Sequence, residues 1–148
     1  MNTDAGLNKR FEIEGRNFSR AGAISTKVKE ILKEIGIANP VIRRAAIAAY
    51  EAEMNVVMYA QRGRFTLSIT PQILSLRVDD EGPGIEDIGL AMQEGYSTAT
   101  DEMREMGFGA GMGLPNIKRN ADRLEISSVP GKGTALGIFF DLSKAKEQ

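Results

Sequence analysis

The chain has 148 residues, of which 42% are hydrophobic and 26% are charged, as is typical of one globular domain. It contains no cysteine and no histidine, which excludes disulfide scaffolds, thiol nucleophiles, zinc ribbons and every triad or metal site that uses imidazole. Because 19 basic residues nearly balance 20 acidic ones, the net charge of −1 argues against a general nucleic-acid binder.

The N-terminal segment and the hydropathy of the chain bear on its location. Residues 1–10 are polar and lack the apolar core of a signal peptide. No apolar run approaches the roughly 20 residues that a membrane span needs. We therefore expect a cytoplasmic protein without membrane contact, with a single domain over residues 1–148 and loose tails at 1–9 and 143–148.

At the start of the chain, hydrophobic periodicity predicts a strand and then a helix. Phe11 and Ile13 alternate with charged residues, which indicates a strand from Arg10 to Phe18. Ser19 is a candidate N-cap for the helix, and Gly36 is a suitable end for it. The apolar stripe of this helix consists of Ile24, Val28, Ile31, Leu32 and Ile35.

A second helix and a pair of strands follow. Asn39 and Pro40 combine a capping residue with a proline suited to the first turn, so the helix is predicted from about Pro40 to Ala60. The segment Thr70 to Gln72 predicts the turn of a hairpin. The alternating apolar residues of the two strands are Phe65, Leu67 and Ile69, then Leu74, Leu76 and Val78.

Glycine is concentrated in the second part of the chain, where most of the 16 glycines lie between Gly82 and Gly137. This pattern favours a ligand site built from loops. The segment 94–106 has no clear period and is predicted to be a mobile loop. The remaining predicted elements are helices at Ile85–Gln93 and Leu114–Ala121 and strands at Arg123–Val129 and Thr134–Leu142.

The order of these elements predicts an α+β fold. Strands and helices each carry one apolar face, and both faces are buried when the helices pack on one side of a single sheet. We therefore expect a two-layer α/β sandwich with a mixed, mostly antiparallel sheet and the helices on one face.

Two polar side chains interrupt the apolar second helix. Glu51 and Asn55 are four residues apart, so they lie on one face of the helix. They are either part of a solvated surface stripe or a pair in which a carboxylate accepts a proton and an amide oxygen binds Mg²⁺. The two residues by themselves leave both interpretations open.

A carboxylate follows the second strand of the hairpin. Strand parity places Asp80 on the same face as Leu76 and Val78, towards the core, where a carboxylate needs a partner. The exocyclic amine of a purine is one suitable donor. The alternative is an aspartate that only shapes the turn ending at Gly84.

The segment Gly107 to Leu114 alternates glycine with other residues immediately before a helix. Backbone without side chains can approach phosphates, and a helix N-terminus supplies free N–H groups. The alternative is a flexible hinge. The segment is not a dinucleotide fingerprint, because no βαβ unit surrounds it, and no Gly-Lys-Ser/Thr ends it as in a Walker A loop.

Taken together and in this order, the motifs resemble the N, G1 and G2 boxes of the GHKL, or Bergerat-fold, ATPases. The resemblance covers about residues 10–142 and is greatest to the small, stand-alone anti-sigma factor serine/threonine kinases of the RsbT, RsbW and SpoIIAB type. Segments 95–98 and 113–119 look closest to the RsbT-like switch kinases. The matching motifs are Glu51-x-x-x-Asn55, Asp80-x-Gly82-x-Gly84, Gly109-x-Gly111-x-Gly113-Leu114 and Gly131-Lys132-Gly133-Thr134.

The resemblance implies a role for each matching residue. Glu51 would be the general base that takes the proton from a substrate hydroxyl, and Asn55 would hold Mg²⁺ against the phosphates of ATP or ADP. Asp80 would accept from the adenine amine with the support of Thr134. The backbone at Gly82 and Gly84 would pass close to the base. A lid at 94–106 would cover the phosphates, which would be wrapped by Gly109, Gly111, Gly113 and Leu114. Two basic residues of the following helix, Lys118 and Arg119, would either add positive potential near the phosphates or only face solvent.

The resemblance also implies a function. It predicts an ATP-dependent kinase that phosphorylates a serine or threonine of a STAS-domain partner in a sigma-factor or stress-response pathway. The alternative is a binding module for a sigma factor, in which nucleotide binding is mainly regulatory. RsbT-like kinases also engage a phosphatase, here expected to be of the PP2C type, and both a monomer and a homodimer stay open. The charged segment 99–106 lengthens the lid, which bears on phosphate coverage and partner choice.

Overall fold

The computed structural model describes residues 6–93 and 113–143. A 3₁₀ turn at Phe18–Arg20 precedes the first helix, and the predicted order of elements is found. The strands are β1 (Leu7–Glu14), β2 (Arg62–Ile69), β3 (Ile73–Glu81), β4 (Arg123–Val129) and β5 (Gly133–Asp141), and the helices are α1 (Ala23–Glu34), α2 (Asn39–Tyr59), α3 (Ile88–Ala91) and α4 (Gly113–Asn120).

The strands form one sheet in the order β1-β2-β3-β5-β4, in which every neighbouring pair is antiparallel. The predicted α+β fold with a mostly antiparallel sheet is therefore confirmed. The expected mixed character is absent from the described strands. Tight turns reverse the chain between β2 and β3 and between β4 and β5, and adjacent strands of such hairpins run in opposite directions.

The core lies between one face of the sheet and α2. Alternate residues of the central strands are buried, so that Phe65 and Leu67 of β2 face Val78 and Leu76 of β3. The other face carries exposed ion pairs such as that between Arg64 and Glu12. Small residues on α2 let α1 and α4 pack closely against it. These fully buried residues are Ala45, Ala48, Ala49 and Ala52.

The first strand begins at Leu7, inside the segment 1–9 that was expected to be a loose tail. Its first residues continue the ladder with β2, and Leu7 is paired with Ile69 at the far end of that strand. The strand also ends earlier than predicted, at Glu14. The reason is local, because Arg16 has a φ of 65°, which a strand does not accommodate.

The start of α1 also differs from the prediction, because Ser19 is not its N-cap. The residue before the helix is Gly22, whose φ is 92° and which supplies no side chain. Instead, the Glu53 carboxylate of α2 accepts the backbone N–H groups of Gly22 at 3.1 Å, Ile24 at 3.2 Å and Ser25 at 3.0 Å. Glu53 is only 2% exposed, so a buried carboxylate from a distant helix replaces the local cap.

Glu53→Gln is expected to lower the free energy of unfolding by about 2 kcal/mol, because the amide nitrogen would set a donor against backbone N–H groups. Urea unfolding followed by circular dichroism measures this change. Glu34→Gln is the matched control, since Glu34 is exposed at the other end of α1 and should change stability by less than about 0.5 kcal/mol. Equal stability of the two variants would contradict the capping role.

The helices of the described ranges also bear on membrane contact. Within residues 6–93 and 113–143, none of them combines the length and the apolar character needed to cross a bilayer.

The predicted ends of two helices differ slightly from those in the structure. Asn39 lies inside α2 after the N-cap residue Ala38, and α3 is shorter than predicted because Asp87 caps it through the Leu90 N–H at 3.0 Å.

Candidate functional site

Helix α2 carries Glu51 and Asn55 to the N-terminal end of α4. A Cβ atom built on Gly113, the first residue of α4, would lie 3.2 Å from Asn55 Oδ1 and 3.6 Å from Glu51 Oε2. Both polar side chains are half-buried. They therefore form a polar wall where α2 meets α4 rather than part of a fully solvated stripe, and a side chain at position 113 would crowd Asn55.

The Glu51 carboxyl titrates in an unusual environment. Its burial raises the pKa above the ordinary value for glutamate, and a hydrogen bond from the Asn116 side chain opposes part of that rise. A carboxylate with a raised pKa is a better proton acceptor than a solvated one. The raised pKa is consistent with the predicted role of Glu51 as a general base.

Asp80 lies in a row of residues that crosses the sheet on its helix-covered face. It is opposite Gly63 of β2 and next to Thr134 of β5, whose backbone N–H donates to Asp80 Oδ1 at 3.0 Å. Burial raises the pKa of Asp80, the Thr134 hydrogen bond opposes the rise, and the charge of Asp79 adds to it. The Asp80 side chain therefore bridges β3 and β5 in addition to preceding the turn that ends at Gly84.

Ser128 of β4 extends this row, and the sequence interpretation overlooked it. Its Oγ accepts the Ile85 N–H at 2.7 Å, donates to the Gly133 carbonyl at 3.1 Å and lies 2.9 Å from Thr134 Oγ1. These bonds tie the loop after β3 to β4 and β5. Strand parity carried the signal, because Ser128 shares a face with Leu124 and Ile126.

Two glycines around Asp80 are required by close backbone contacts. A Cβ atom on Gly84, which has a φ of 74°, would lie 2.5 Å from the Val129 carbonyl oxygen. A Cβ atom on Gly133 would lie 2.0 Å from the Asp80 carbonyl oxygen. Any side chain at either position would therefore push the Asp80 turn away from β4 and β5.

The end of α2 connects the two parts of the site. A Cβ atom on Gly82 would lie 3.1 Å from Cα of Ala60, the residue that follows α2. Along the axis of α2, Glu51 lies about 13 Å from Ala60. Asp80 and the pair of Glu51 and Asn55 thus lie along one stretch of α2, separated by a distance that a base, a sugar and a chain of phosphates can span.

Other predicted site residues are placed less centrally. Leu114 is half-buried and packs against the core. Lys118 and Arg119 are exposed near the far end of α4, and Arg119 Nη1 donates to Asn116 Oδ1 at 3.0 Å. Gly109, Gly111 and the predicted lid at 94–106 lie outside the described residues.

The described residues also limit how a cation can be held. Among them, no group of three or more acidic, histidine or cysteine side chains is close enough to hold a metal ion. Asn55 fits Mg²⁺ in a different way, since one amide oxygen can complete a coordination shell that consists mainly of phosphate oxygens and water. A side chain at position 113 would crowd Asn55 Oδ1, so glycine at this position suits that role.

Comparison with known proteins identifies the family. A family model described as "Histidine kinase-, DNA gyrase B-, and HSP90-like ATPase" matches residues 41–144. The chain belongs to this ATPase family. The resemblance to GHKL ATPases that the motifs predicted is thereby confirmed, and membership of the family implies ATP binding.

Two curated relatives show the branch. Serine/threonine-protein kinase RsbT of Bacillus subtilis (strain 168) is 31% identical over 112 residues, which cover 73% of this chain and 78% of RsbT. The anti-sigma F factor of Thermoanaerobacter sp. (strain X514) is 30% identical over 134 residues, or 86% of each chain. The predicted membership of the small RsbT and anti-sigma factor branch is confirmed by these two matches.

A solved structure was also matched. The histidine kinase domain from the blue-light activated histidine kinase of Erythrobacter litoralis EL346 aligns with a TM-score of 0.49 and 16% identity, over 86% of this chain and 63% of that chain. Because this score is below 0.5, the family assignment rests on the sequence matches.

Ser128→Ala is expected to weaken ATP binding about tenfold, because it removes hydrogen bonds that hold Thr134 and the loop after β3. Isothermal titration calorimetry with ATP measures the change. Ser127→Ala serves as the control, since Ser127 is the exposed neighbour on the opposite face of β4 and should leave the affinity unchanged. The hydrogen-bonding role of Ser128 is wrong if both variants bind ATP like the unmodified protein.

Proposed function

We propose that this chain is an ATP-dependent serine/threonine protein kinase that phosphorylates a STAS-domain partner in a sigma-factor or stress-response pathway. The observation that supports this most is the placement of Glu51 and Asn55 together against Gly113, the first residue of α4. A protein that only binds nucleotide does not need a half-buried carboxylate with a raised pKa at this position. The kinase name of RsbT agrees with this interpretation.

In this proposal the residues divide into a base-binding group and a reaction group. Asp80 accepts from the adenine amine, and Thr134 holds Asp80 in place through its N–H. Asn55 would hold Mg²⁺ through its amide oxygen, the metal would neutralise phosphate charge, and ATP would supply the phosphoryl group. Glu51 takes the proton of the attacking serine or threonine hydroxyl. The hydroxyl oxygen then bonds to the γ-phosphorus while the bond from that phosphorus to ADP breaks and ADP leaves.

The composition of the chain agrees with a hydroxyl acceptor on another protein. These 148 residues contain no histidine, so they carry no imidazole that could accept the phosphoryl group. Phosphoryl transfer depends mainly on positioning and on neutralisation of charge, and a carboxylate base with a metal ion meets both needs.

The proposal is tested by mixing the protein with Mg²⁺, γ-labelled ATP and STAS-domain proteins encoded beside its gene. We expect label on one serine or threonine of a partner, located by mass spectrometry, and no label with Glu51→Ala. Failure to label any such partner under conditions in which the protein binds ATP would overturn the kinase proposal. So would full transfer by the Glu51→Ala variant.

The similarity to the anti-sigma F factor supports a second function, a binding module for a sigma factor. In that case nucleotide binding regulates the hold on the partner. A pull-down with ATP, ADP and no nucleotide distinguishes the two functions. A sigma subunit retained in a nucleotide-dependent way, without a phosphorylated partner, would favour this second function. The same resemblance leaves a homodimer open and predicts a PP2C-type phosphatase partner. A cytoplasmic location stays the prediction of the polar N-terminal segment and the lack of a long apolar run.

A further inference from the structure

The Asn116 side chain joins two charged groups between α2 and α4. Its Oδ1 accepts a hydrogen bond from Arg119 Nη1 at 3.0 Å. The same side chain hydrogen-bonds the Glu51 carboxylate. Arg119, Asn116 and Glu51 thus form a chain of hydrogen bonds that leads from the exposed side of α4 to the polar wall of the site.

The chemistry of the three groups determines which way the amide points. A guanidinium can only donate hydrogen bonds, and an ionised carboxylate can only accept them. A carboxamide has one acceptor oxygen and one donor nitrogen, so it can bridge these two groups. Because Arg119 occupies Oδ1, the NH₂ group of Asn116 is left to donate to Glu51.

The helix that carries Asn116 is firmly held. Pro115 and Ile117 on either side of it are buried. At the end of α4, Arg44 Nη1 of α2 donates to the Asn120 carbonyl at 3.0 Å and pairs with Asp122 Oδ1 at 3.3 Å. Asn116 is therefore fixed relative to α2, and it can fix a side chain of α2 in turn.

Asn116 and Gly113 are one helical turn apart on the same side of α4. Gly113 lies close against Glu51 and Asn55. Asn116 holds the Glu51 carboxylate one turn further along the helix. A carboxylate has two oxygens, so one bond to Asn116 leaves lone pairs available to take a proton.

We propose that Asn116 is a positioning residue for phosphoryl transfer, which holds the Glu51 carboxylate in the orientation that accepts the substrate proton, while Arg119 orients Asn116. This inference rests on the proposed kinase function. It assigns to Asn116 an effect on the rate of transfer and none on nucleotide binding, because the Asp80 end of the site does not contact it.

Asn116→Leu, of similar size, is expected to lower kcat for partner phosphorylation on the order of 10- to 100-fold, because misplacement of a reacting group by about 1 Å has effects of that size. The KM for ATP should stay unchanged. Asn116→Asp keeps the shape and the contact with Arg119 but opposes Glu51 with a second carboxylate, so it should lose at least as much. An unchanged kcat in Asn116→Leu would overturn the inference while leaving the kinase proposal intact.

A double-mutant cycle separates positioning from support of the fold. In the Glu51→Gln background, Asn116→Leu should produce no further loss of the residual rate, because Asn116 acts through Glu51. If Asn116 only stabilised the fold, the two losses would multiply and the melting temperature would fall with them. That result would contradict the inference.

A second measurement does not depend on kinase activity. In ¹⁵N-resolved NMR spectra of the full chain, the side-chain NH₂ resonances of Asn116 should shift in Glu51→Gln and in Arg119→Ala. Ser127→Ala, on the exposed side of β4, should leave them in place. Unchanged resonances in both of the first variants would show that the hydrogen-bond chain is absent, whatever the outcome of the transfer assay.

Discussion

Glu51→Gln is expected to slow phosphoryl transfer to the partner by about 10³-fold, because the amide cannot accept the hydroxyl proton. ATP affinity should be unchanged, since the base-binding group around Asp80 is not altered. Single-turnover transfer at saturating ATP measures the rate, and calorimetry measures the affinity. A rate within tenfold of the unmodified protein would exclude Glu51 as the general base.

The same residue predicts the pH dependence of the unmodified protein. Burial raises the pKa of Glu51, so the rate should fall with decreasing pH, beginning above the range in which a solvated glutamate titrates. The chain has no histidine that would add its own titration in this range. Glu51→Gln should lose this pH limb, which a purely structural role would not predict.

The effect of Glu51 on folding stability provides a control, because the raised pKa determines whether removing the carboxylate stabilises or destabilises the fold. The raised pKa means that the folded state prefers neutral Glu51, so this stabilisation is complete below the unfolded-state pKa and is lost as pH rises through the folded-state pKa. Glu51→Gln should therefore melt at or slightly above the temperature of the unmodified protein at pH 7, and the difference should disappear in acid. A destabilised variant at pH 7 would contradict the desolvation that raises the pKa.

Asp80→Asn is expected to weaken the binding of ATP and ADP by on the order of 10²-fold, because it removes a charged acceptor and puts an NH₂ group in its place. In the unmodified protein the Thr134 N–H donates to Asp80 Oδ1 at 3.0 Å. The amide oxygen of the variant can accept the same N–H, so the turn should persist. Calorimetric titration gives the affinity, and thermal unfolding without nucleotide checks the fold.

The loss of affinity should also depend on the base. Adenine presents an amine donor where guanine presents a carbonyl acceptor, so an NH₂ group at position 80 disfavours adenine more than guanine. The ratio of ATP affinity to GTP affinity should therefore fall in Asp80→Asn. Asp79→Asn is the matched control, because Asp79 points to the other face of β3, where it pairs with Arg77 at 3.5 Å. Equal effects of the two substitutions would contradict the role of Asp80 in base recognition.

Local patterns in the sequence were sufficient to predict most of the fold. The alternation of Phe65 and Leu67 and the proline at the start of α2 each act within a few residues, and both elements are found near their predicted positions. The beginning of β1 was missed because Leu7 depends on pairing with the distant Ile69. The capping of α1 by Glu53 was also missed. Glu53 is 28 residues from Ser25 in the chain, so no local pattern indicates that its carboxylate accepts the Ser25 N–H.

In the candidate site, too, local sequence patterns were predictive and contacts between distant residues were not. Glu51, Asn55 and Asp80 were predicted from spacing and parity, which are local properties. Asn116 and Ser128 were not, because their significance comes from partners on other elements. Ser128, for example, bonds to Ile85, which is 43 residues earlier in the chain.

The row from Asp80 to Ser128 has a consequence for folding. The hydrogen bond between Asp80 and Thr134 spans 54 residues, and contacts of such separation form late because a long loop must close first. Glu51, Asn55 and Asp80 all precede the lid in the chain, but Thr134 is part of the last strand. A chain still emerging from the ribosome without β5 thus contains the proposed catalytic pair but lacks the Thr134 partner of Asp80. If Asp80 binds the base as proposed, nucleotide should bind the finished sheet and stabilise that state by mass action.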